Sequence, residues 1–197
     1  MKQSNKTERR LQIISGALKL FAQRGFYSTT IPDIAGSIGM SAGNIYNYFP
    51  SKEILAQEIL KTISAHLGQQ IRRINDQDIS SREKIKQIVK IYFDTAEKEP
   101  EMIDFFLRVY LSNREVFGQG CEGMICVNDF VTEIMIFFDD GVARGELKNQ
   151  DFFSAFGLFM GYLGGMVFLA GEKILPQSLD AYTDDIATNI YNALKAQ

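Results

Sequence analysis

The sequence predicts an all-α fold of about nine helices, with a small N-terminal head and a larger helical body. Apolar residues recur at intervals of three and four along most of the 197-residue chain. Serine or threonine precedes several of these segments, and glycine or proline follows where they would end. The chain is long enough for one large domain or two small ones. We expect the division to fall between residues 1–50 and 51–197.

Two helices are predicted at the start of the head. The first runs from Lys6 to Arg24, and Gly25 supplies its stop. Thr30 caps the second helix, Pro32 falls in its first turn, and Asp33 favours the positive end of its dipole. The apolar stripes of the two helices are Leu11, Ile14, Leu18 and Phe21, and then Ile31, Ile34 and Ile38.

A third short helix follows after a Gly-Met step, with Ser41 as its cap. One face is apolar and points back to the first two helices: Ala42, Ile45 and Phe49. The opposite face is small and polar, with tyrosines at its flanks: Gly43, Asn44, Asn47, Tyr46 and Tyr48. Two short helices joined by a glycine-bearing turn, the second with an outward polar face, form a helix-turn-helix pattern.

This pattern favours a nucleic-acid interface. Asparagine amides can donate to and accept from base edges in the major groove, and tyrosine hydroxyls can reach phosphates. Pro50 ends the turn, so that Ser51 can cap a fourth helix whose free N–H groups and Lys52 suit a phosphate. The charge distribution agrees, because residues 1–52 carry a net charge of +5 although the whole chain carries −3.

The stretch from Arg10 to Leu55, RLQIISGALKLFAQRGFYSTTIPDIAGSIGMSAGNIYNYFPSKEIL, resembles the DNA-binding domain of the TetR/AcrR family of transcriptional regulators. The matching elements are LFAQRGF, TTIPDIA and GMSAGNIYNYFPSKEIL, in register over about a quarter of the chain. One position departs from the family pattern. The residue after the capping serine is often basic in the family, and here it is Ala42.

The resemblance implies a dimeric, all-helical repressor that binds a palindromic operator and releases it when a small hydrophobic effector binds the C-terminal domain. It also implies contacts at matching positions. Thr30 and Ser41 would touch phosphates through their hydroxyls, or serve only as helix caps. Base edges would meet Ala42, Gly43, Asn44 and Asn47. Phosphates would be held by Tyr46, Tyr48 and Lys52, although Tyr46 could instead pack against the core.

The remaining chain is predicted to be helical. The fourth helix should run from Ser51 to about Ile74, with a seam of Leu60, Ile63, Leu67, Ile71 and Ile74 that joins head to body. A capping box at Ser80 opens an amphipathic fifth helix. Pro100 opens a sixth, PEMIDFFLRVYLSN, and a seventh surrounds Val131 and Ile134.

Residues 152–171, FFSAFGLFMGYLGGMVFLAG, are uncharged, so a membrane span has to be considered. Four glycines interrupt the segment, charged residues bound it, and no second span accompanies it. A buried interface helix explains it better, and we expect no membrane partner. The resemblance implies a homodimer in which the last two helices of each subunit form a four-helix bundle. The last helix would contribute Ile186, Ile190 and Leu194.

The effector site is predicted to be an apolar cavity in the body, because aromatic residues and methionines concentrate after residue 90. The candidates are Phe105, Phe106, Tyr110, Phe130, Met135, Phe156, Met160 and Tyr162, although each could be an ordinary core residue. Asp104, Arg108 and Glu133 are the charges most embedded in apolar sequence, and one of them could orient a polar end of the ligand.

The sequence gives less support to an enzyme, a metal-binding protein or a scaffold protein. The sequence offers no nucleophile–base pair, metal-ligand cluster or phosphate loop, so we expect no enzyme, no metal site and no cofactor. His66 is the only histidine and is more simply structural than functional. The two cysteines, at 121 and 126, fit no common metal or redox motif, and the polar N-terminus favours a reduced, cytoplasmic protein. The alternative is a non-catalytic ligand-binding or scaffold protein with a non-functional DNA head.

Overall fold

A computed structural model describes residues 2–110 and 125–196, with side chains for 6–107 and 126–196. Within these ranges the chain forms nine α-helices and no strand. The helices are α1 (Lys2–Arg24), α2 (Ile31–Ser37), α3 (Ala42–Tyr46), α4 (Lys52–Asn75), α5 (Ser81–Lys98), α6 (Pro100–Asp104), α7 (Asn128–Ala143), α8 (Phe152–Gly171) and α9 (Thr183–Leu194). A π-helical turn, Phe105–Tyr110, follows α6, and 3-10 turns precede α7 and α9.

The helices form two compact units, which we call the head unit and the body unit. The head unit comprises residues 1–64 and 100–127, and the body unit comprises residues 65–99 and 128–197. Helix α4 contributes its first half to the head unit and its second half to the body unit. Every residue of its predicted apolar seam is buried.

In the head unit, α1 packs against α2, α6 and the π-helical turn. Its buried face is rotated from the predicted stripe. Leu11 is 55% exposed, whereas Ile13, Ala17 and Leu20 are buried. The stripe was wrong at Leu11 because the inward-facing positions of this turn are Ile13 and Arg10, whose guanidinium lies over a buried aromatic ring.

Two further expectations are corrected in residues 100–126. The predicted sixth helix is regular only over Pro100–Asp104, after which the backbone winds into the π-helical turn. Phe105 is fully buried, and its ring lies 6.0 Å from that of Phe21 in the head unit. Cys126 is disulfide-bonded, which contradicts the expectation of reduced cysteines. Cys121 lies outside the described residues.

In the body unit, α5 and α9 pack along their lengths, and both also contact α8. This packing corrects the role expected for the apolar face of α9. Ile186, Ile190 and Leu194 are each less than 5% exposed within a single subunit, so they are core residues and not a free dimer face. The amphipathic pattern identified a buried face correctly, but periodicity does not say which helix covers it.

Candidate functional site

The turn between α2 and α3 is fixed by two helix caps. The Thr30 hydroxyl accepts from the backbone N–H of Asp33 at 3.3 Å, and the Asp33 carboxylate accepts from the backbone N–H and the hydroxyl of Thr30. These hydrogen bonds lower the pKa of Asp33, the hydroxyl contributing most. Ser41 caps α3 by accepting from the N–H of Asn44 at 3.3 Å. Both predicted caps are therefore present.

Helix α3 presents a polar surface on one side and is anchored on the other. Ile45 and Phe49 are fully buried. Gly43, Asn44 and Asn47 are exposed. Among the described residues, neither asparagine amide has a hydrogen-bond partner within the chain, so both are available to an external partner. A Cβ at Gly43 would meet no atom within 4 Å, so this surface is open.

The flanking residues differ in exposure. Tyr46 is 51% exposed, which argues against the alternative that it mainly packs in the core. Tyr48 and Ala42 are half-buried, and Thr30 and Ser41 are exposed. The Thr30 hydroxyl donates to Asp33, so its proton is already engaged within the capping box.

Lys52 has partners inside the head unit. Its Nζ donates to the backbone carbonyls of Phe26 and Thr29, both at 2.9 Å, and lies 4.2 Å from the centre of the Phe26 ring. The ammonium therefore fixes the loop between α1 and α2 to the start of α4. Sequence reasoning did not identify this role, because the contacts are with backbone carbonyls 23 and 26 residues away.

The sequence also did not indicate that Arg10 positions the residues after α3. Its Nη2 lies 2.8 Å from Oε1 of Glu58 on α4, and its Nη1 donates to the Tyr48 carbonyl at 3.5 Å. The guanidinium also lies over the ring of Phe49. One side chain thus links α1 to α4 and to the residues that follow α3.

The body unit contains a narrow apolar crevice between α4, α5, α7 and α8. Its void is about 10 Å³, close to the room that one water needs. Helices α4 and α5 contribute Leu67, Ile71, Ile88, Ile91 and Tyr92, and helices α7 and α8 contribute Phe130, Phe159, Met160 and Leu163. An open polar groove of about 380 Å³ shares Ile91 with the crevice and includes His66, Arg73 and Lys98.

Known proteins resemble this chain in both sequence and fold. The sequence model for "Bacterial regulatory proteins, tetR family" matches residues 13–59, which include the capped turn and α3. This chain carries a TetR-family DNA-binding domain. The transcriptional repressor KstR2 of Rhodococcus jostii is 33% identical over 94 residues, which are 48% of this chain and 46% of that protein. The chain spans less than half the length of the curated relatives it matches first.

Solved structures share the fold over nearly the whole length. The fatty acid degradation regulator FadR from Bacillus halodurans matches with a TM-score of 0.79 at 18% identity, covering 93% of this chain and 94% of that one. FadR from Bacillus subtilis, solved in complex with stearoyl-CoA, matches with a TM-score of 0.78 at 17% identity, covering 92% and 97%. The residues that the family model matches therefore belong to a chain whose fold also occurs in these regulators.

The predicted effector residues do not form one cluster. Phe130 and Met160 line the crevice, and the Phe156 ring lies 6.4 Å from that of Phe130. Phe105 and Phe106 belong to the head unit. Met135 is 43% exposed, and the Tyr162 hydroxyl accepts from Asn189 at 3.0 Å. The side chain of Tyr110 lies outside the described residues.

Of the embedded charges, Glu133 is buried and paired in the body unit. Its Oε1 lies 3.2 Å from Nε of Arg72, and its Oε2 accepts from Nδ2 of Asn75 at 3.1 Å. Asp104 is half-buried, and the Arg108 side chain lies outside the described residues. His66 hydrogen-bonds Gln70 one turn along α4, at 2.7 Å, which agrees with a structural role.

Helix α8 leaves much of its apolar surface uncovered. Phe153 and Phe168 are 64% and 59% exposed. A Cβ at Gly157, Gly161 or Gly165 would meet no atom within 4 Å, so these glycines form an open stripe. By length and composition α8 could cross a membrane, but one such helix among the described residues is weak evidence of a membrane protein.

Proposed function

We propose that this chain is a cytoplasmic, ligand-responsive transcriptional repressor that binds a palindromic operator as a homodimer. The observation that carries the proposal is the pair of exposed, unpaired amides of Asn44 and Asn47 on a capped, rigid turn. A soluble helix surface gains little from such amides in water. In the major groove, however, an asparagine can donate to and accept from one adenine.

The proposed DNA interface divides by chemistry. Base edges meet Ala42, Gly43, Asn44 and Asn47, since Gly43 leaves room for close approach. Phosphates meet the hydroxyls of Ser41, Tyr46 and Tyr48. The Thr30 hydroxyl and the Lys52 ammonium already have internal partners, so we assign both mainly to holding the turn in place. The free N–H groups at the start of α4 provide a further phosphate contact.

The proposed dimer uses α8. Three glycines spaced one turn apart, with exposed phenylalanines beside them, allow a second helix to approach closely and bury apolar area. A two-fold pair of heads fits an operator with two half-sites about one helical turn apart.

The proposed effector is hydrophobic and binds at the crevice of the body unit, which opens to admit it. The apolar lining supports this class of ligand, as does the Bacillus subtilis FadR structure with stearoyl-CoA, whose fold this chain shares. Helix α4 lines the crevice and also carries head-unit residues, so it is the proposed route of coupling. A ligand that favours one arrangement of α4 must weaken operator binding by the factor by which the operator weakens ligand binding.

The DNA interface is tested by selecting duplexes from a random library with the purified protein. A repressor of this kind enriches a sequence with two inverted half-sites, and its affinity falls steeply as salt rises. Asn47→Ala should lose about 1–3 kcal/mol of discrimination at one base pair per half-site while nonspecific binding remains. Asn192→Ala removes an exposed amide from α9 and serves as the matched control.

The results separate the proposal from its alternative. A scaffold protein with a non-functional head would enrich no sequence at any salt concentration. Unchanged base preference in Asn47→Ala would contradict the assigned readout surface. Titration of operator release against ligand tests the coupling separately, and independent affinities would refute it.

A further inference from the structure

One residue in the wall of the body-unit crevice carries a side-chain hydroxyl. Of its lining residues only Tyr92 carries a group that can both donate and accept a hydrogen bond, and the others are aliphatic, phenylalanine or methionine. Tyr92 is 4% exposed, and its hydroxyl has no hydrogen-bond partner among the described residues. Among the described residues, two other buried side-chain oxygens lack a hydrogen-bond partner, one on Asn75 and one on Thr183. Neither residue lines the crevice.

An unpaired buried hydroxyl destabilises the empty protein, because the group has left water without gaining a partner. A phenylalanine would fill the same place without this cost. A bound water would remove little of the cost, since a buried water needs two to four polar partners and the side chains of the lining offer it one. The hydroxyl is therefore explained by a partner that brings its own apolar body into the crevice.

We infer that Tyr92 is the hydrogen-bonding anchor for the effector, and that the end of the effector buried in the crevice is apolar and carries an uncharged hydroxyl or carbonyl group. The inference rests on the proposed function, because it takes the crevice to be the effector site. An ionised carboxylate is excluded from the buried end, since one hydroxyl cannot replace the water that such a charge loses. Burial raises the pKa of Tyr92, so the hydroxyl keeps its proton and remains a donor.

The first test measures the protein without ligand. Tyr92→Phe should leave the melting temperature unchanged or raise it by about 2–4 °C, because it removes an unpaired polar atom and keeps the ring. Tyr182→Phe, at a half-buried tyrosine outside the crevice lining, is the matched control. A lower melting temperature in Tyr92→Phe alone would show that the hydroxyl has a structural partner, and would overturn the inference.

The second test uses a matched pair of probes, pentylbenzene and 1-phenyl-1-pentanone, which differ by one carbonyl. The wild-type protein should bind the ketone more tightly than its hydrophobicity alone predicts. In Tyr92→Phe, affinity for the ketone should fall about tenfold, whereas affinity for the hydrocarbon should hold. Calorimetry or displacement of a crevice-bound dye measures both constants.

The outcomes test the Tyr92 anchor and the crevice site separately. If both probes bind and Tyr92→Phe weakens both or neither, the anchor is refuted while the crevice remains a hydrophobic site. If neither probe binds the wild type at its solubility limit, the crevice is not a site for this class of ligand, and the effector part of the proposed function falls with the anchor.

Discussion

The guanidinium of Arg10 lies over the face of the Phe49 ring, with 4.4 Å between its Cζ and the ring centre. Phe49 is fully buried behind α3, and the same guanidinium pairs with Glu58. The position of the residues that follow α3 therefore depends on a residue of α1.

Arg10→Met should test this dependence, since it keeps most of the stem and removes the charge. We expect the free energy of unfolding to fall by about 1–2 kcal/mol, because a cation–π contact and a partly exposed ion pair are lost. Operator affinity should fall more than in Arg9→Met, which removes an exposed charge from the same helix. Equal losses of affinity in the two variants, measured by fluorescence anisotropy, would contradict the positioning role.

Lys52→Met should weaken the head unit itself. The Nζ of Lys52 satisfies two carbonyls and contacts an aromatic face, so we expect a loss of about 1–2 kcal/mol in urea denaturation. Lys61→Met, at an exposed position of the same helix, should cost little. A Lys52 variant of unchanged stability that binds DNA poorly would instead assign the ammonium to phosphate.

Gly68→Ala should destabilise the body unit, because α4 and α7 meet closely there. A Cβ at Gly68 would lie 2.9 Å from the carbonyl carbon and oxygen of Asp129, and backbone atoms cannot move aside cheaply. We expect a loss of about 1–3 kcal/mol. Gly36→Ala, where a Cβ meets nothing within 4 Å, should instead gain about 0.5–1 kcal/mol from helix propensity. Thermal denaturation of the two variants checks the contrast.

Gly161→Arg should convert the proposed dimer to a monomer without unfolding the subunit. The subunit has room for the new side chain, whereas a second helix packed against the glycine stripe would meet a charge. Light scattering after size exclusion measures the mass, and circular dichroism monitors the helices. Lys148→Arg, an exposed change elsewhere in the body unit, controls for added bulk. A dimeric Gly161→Arg protein would place the interface elsewhere.

Asp140→Asn should make stability less sensitive to acid. The Lys84 ammonium, 2% exposed, lies 2.9 Å from Oδ2 of Asp140 and holds the pKa of that carboxyl below its ordinary value. The carboxylate therefore stabilises the fold above about pH 4, and this contribution disappears as pH falls through the lowered pKa. The variant should lose about 1 kcal/mol at pH 7, since the Asp140 side chain is 37% exposed and water screens the pair, and much less at pH 3. For Asp139→Asn, at an exposed neighbouring position, the difference in stability from the wild type should be the same at pH 7 and pH 3.

Local chemistry made much of the head predictable. Caps at Thr30 and Ser41 and the apolar residues Ile34 and Ile45 act within a few positions of one another, so their spacing indicates the helices directly. The resemblance then pointed to the family, whose sequence model covers the same stretch. The fold class followed from the same periodicity in the body and is confirmed.

Long-range partners were not predictable in this way. Lys52 looks like a free phosphate ligand in the sequence, and only the fold brings the carbonyls of Phe26 and Thr29 to it. The apolar stripes of α8 and α9 look alike, yet Ile190 is covered within the subunit and Phe168 is not. In the sequence Tyr92 looks like an ordinary core aromatic residue, because the sequence does not show whether its hydroxyl has a hydrogen-bond partner.

The contact between the tilted rings of Phe21 and Phe105 bears on how the head unit folds during synthesis. Residues 1–64 are synthesised before Phe105, and the contact of Phe21 with Phe105 forms only after that residue has been added. We expect chains truncated before residue 105 to be poorly folded and rapidly degraded. Prematurely terminated translation products should therefore be weak competitors for the operator, and nonsense alleles in this region should behave as recessive.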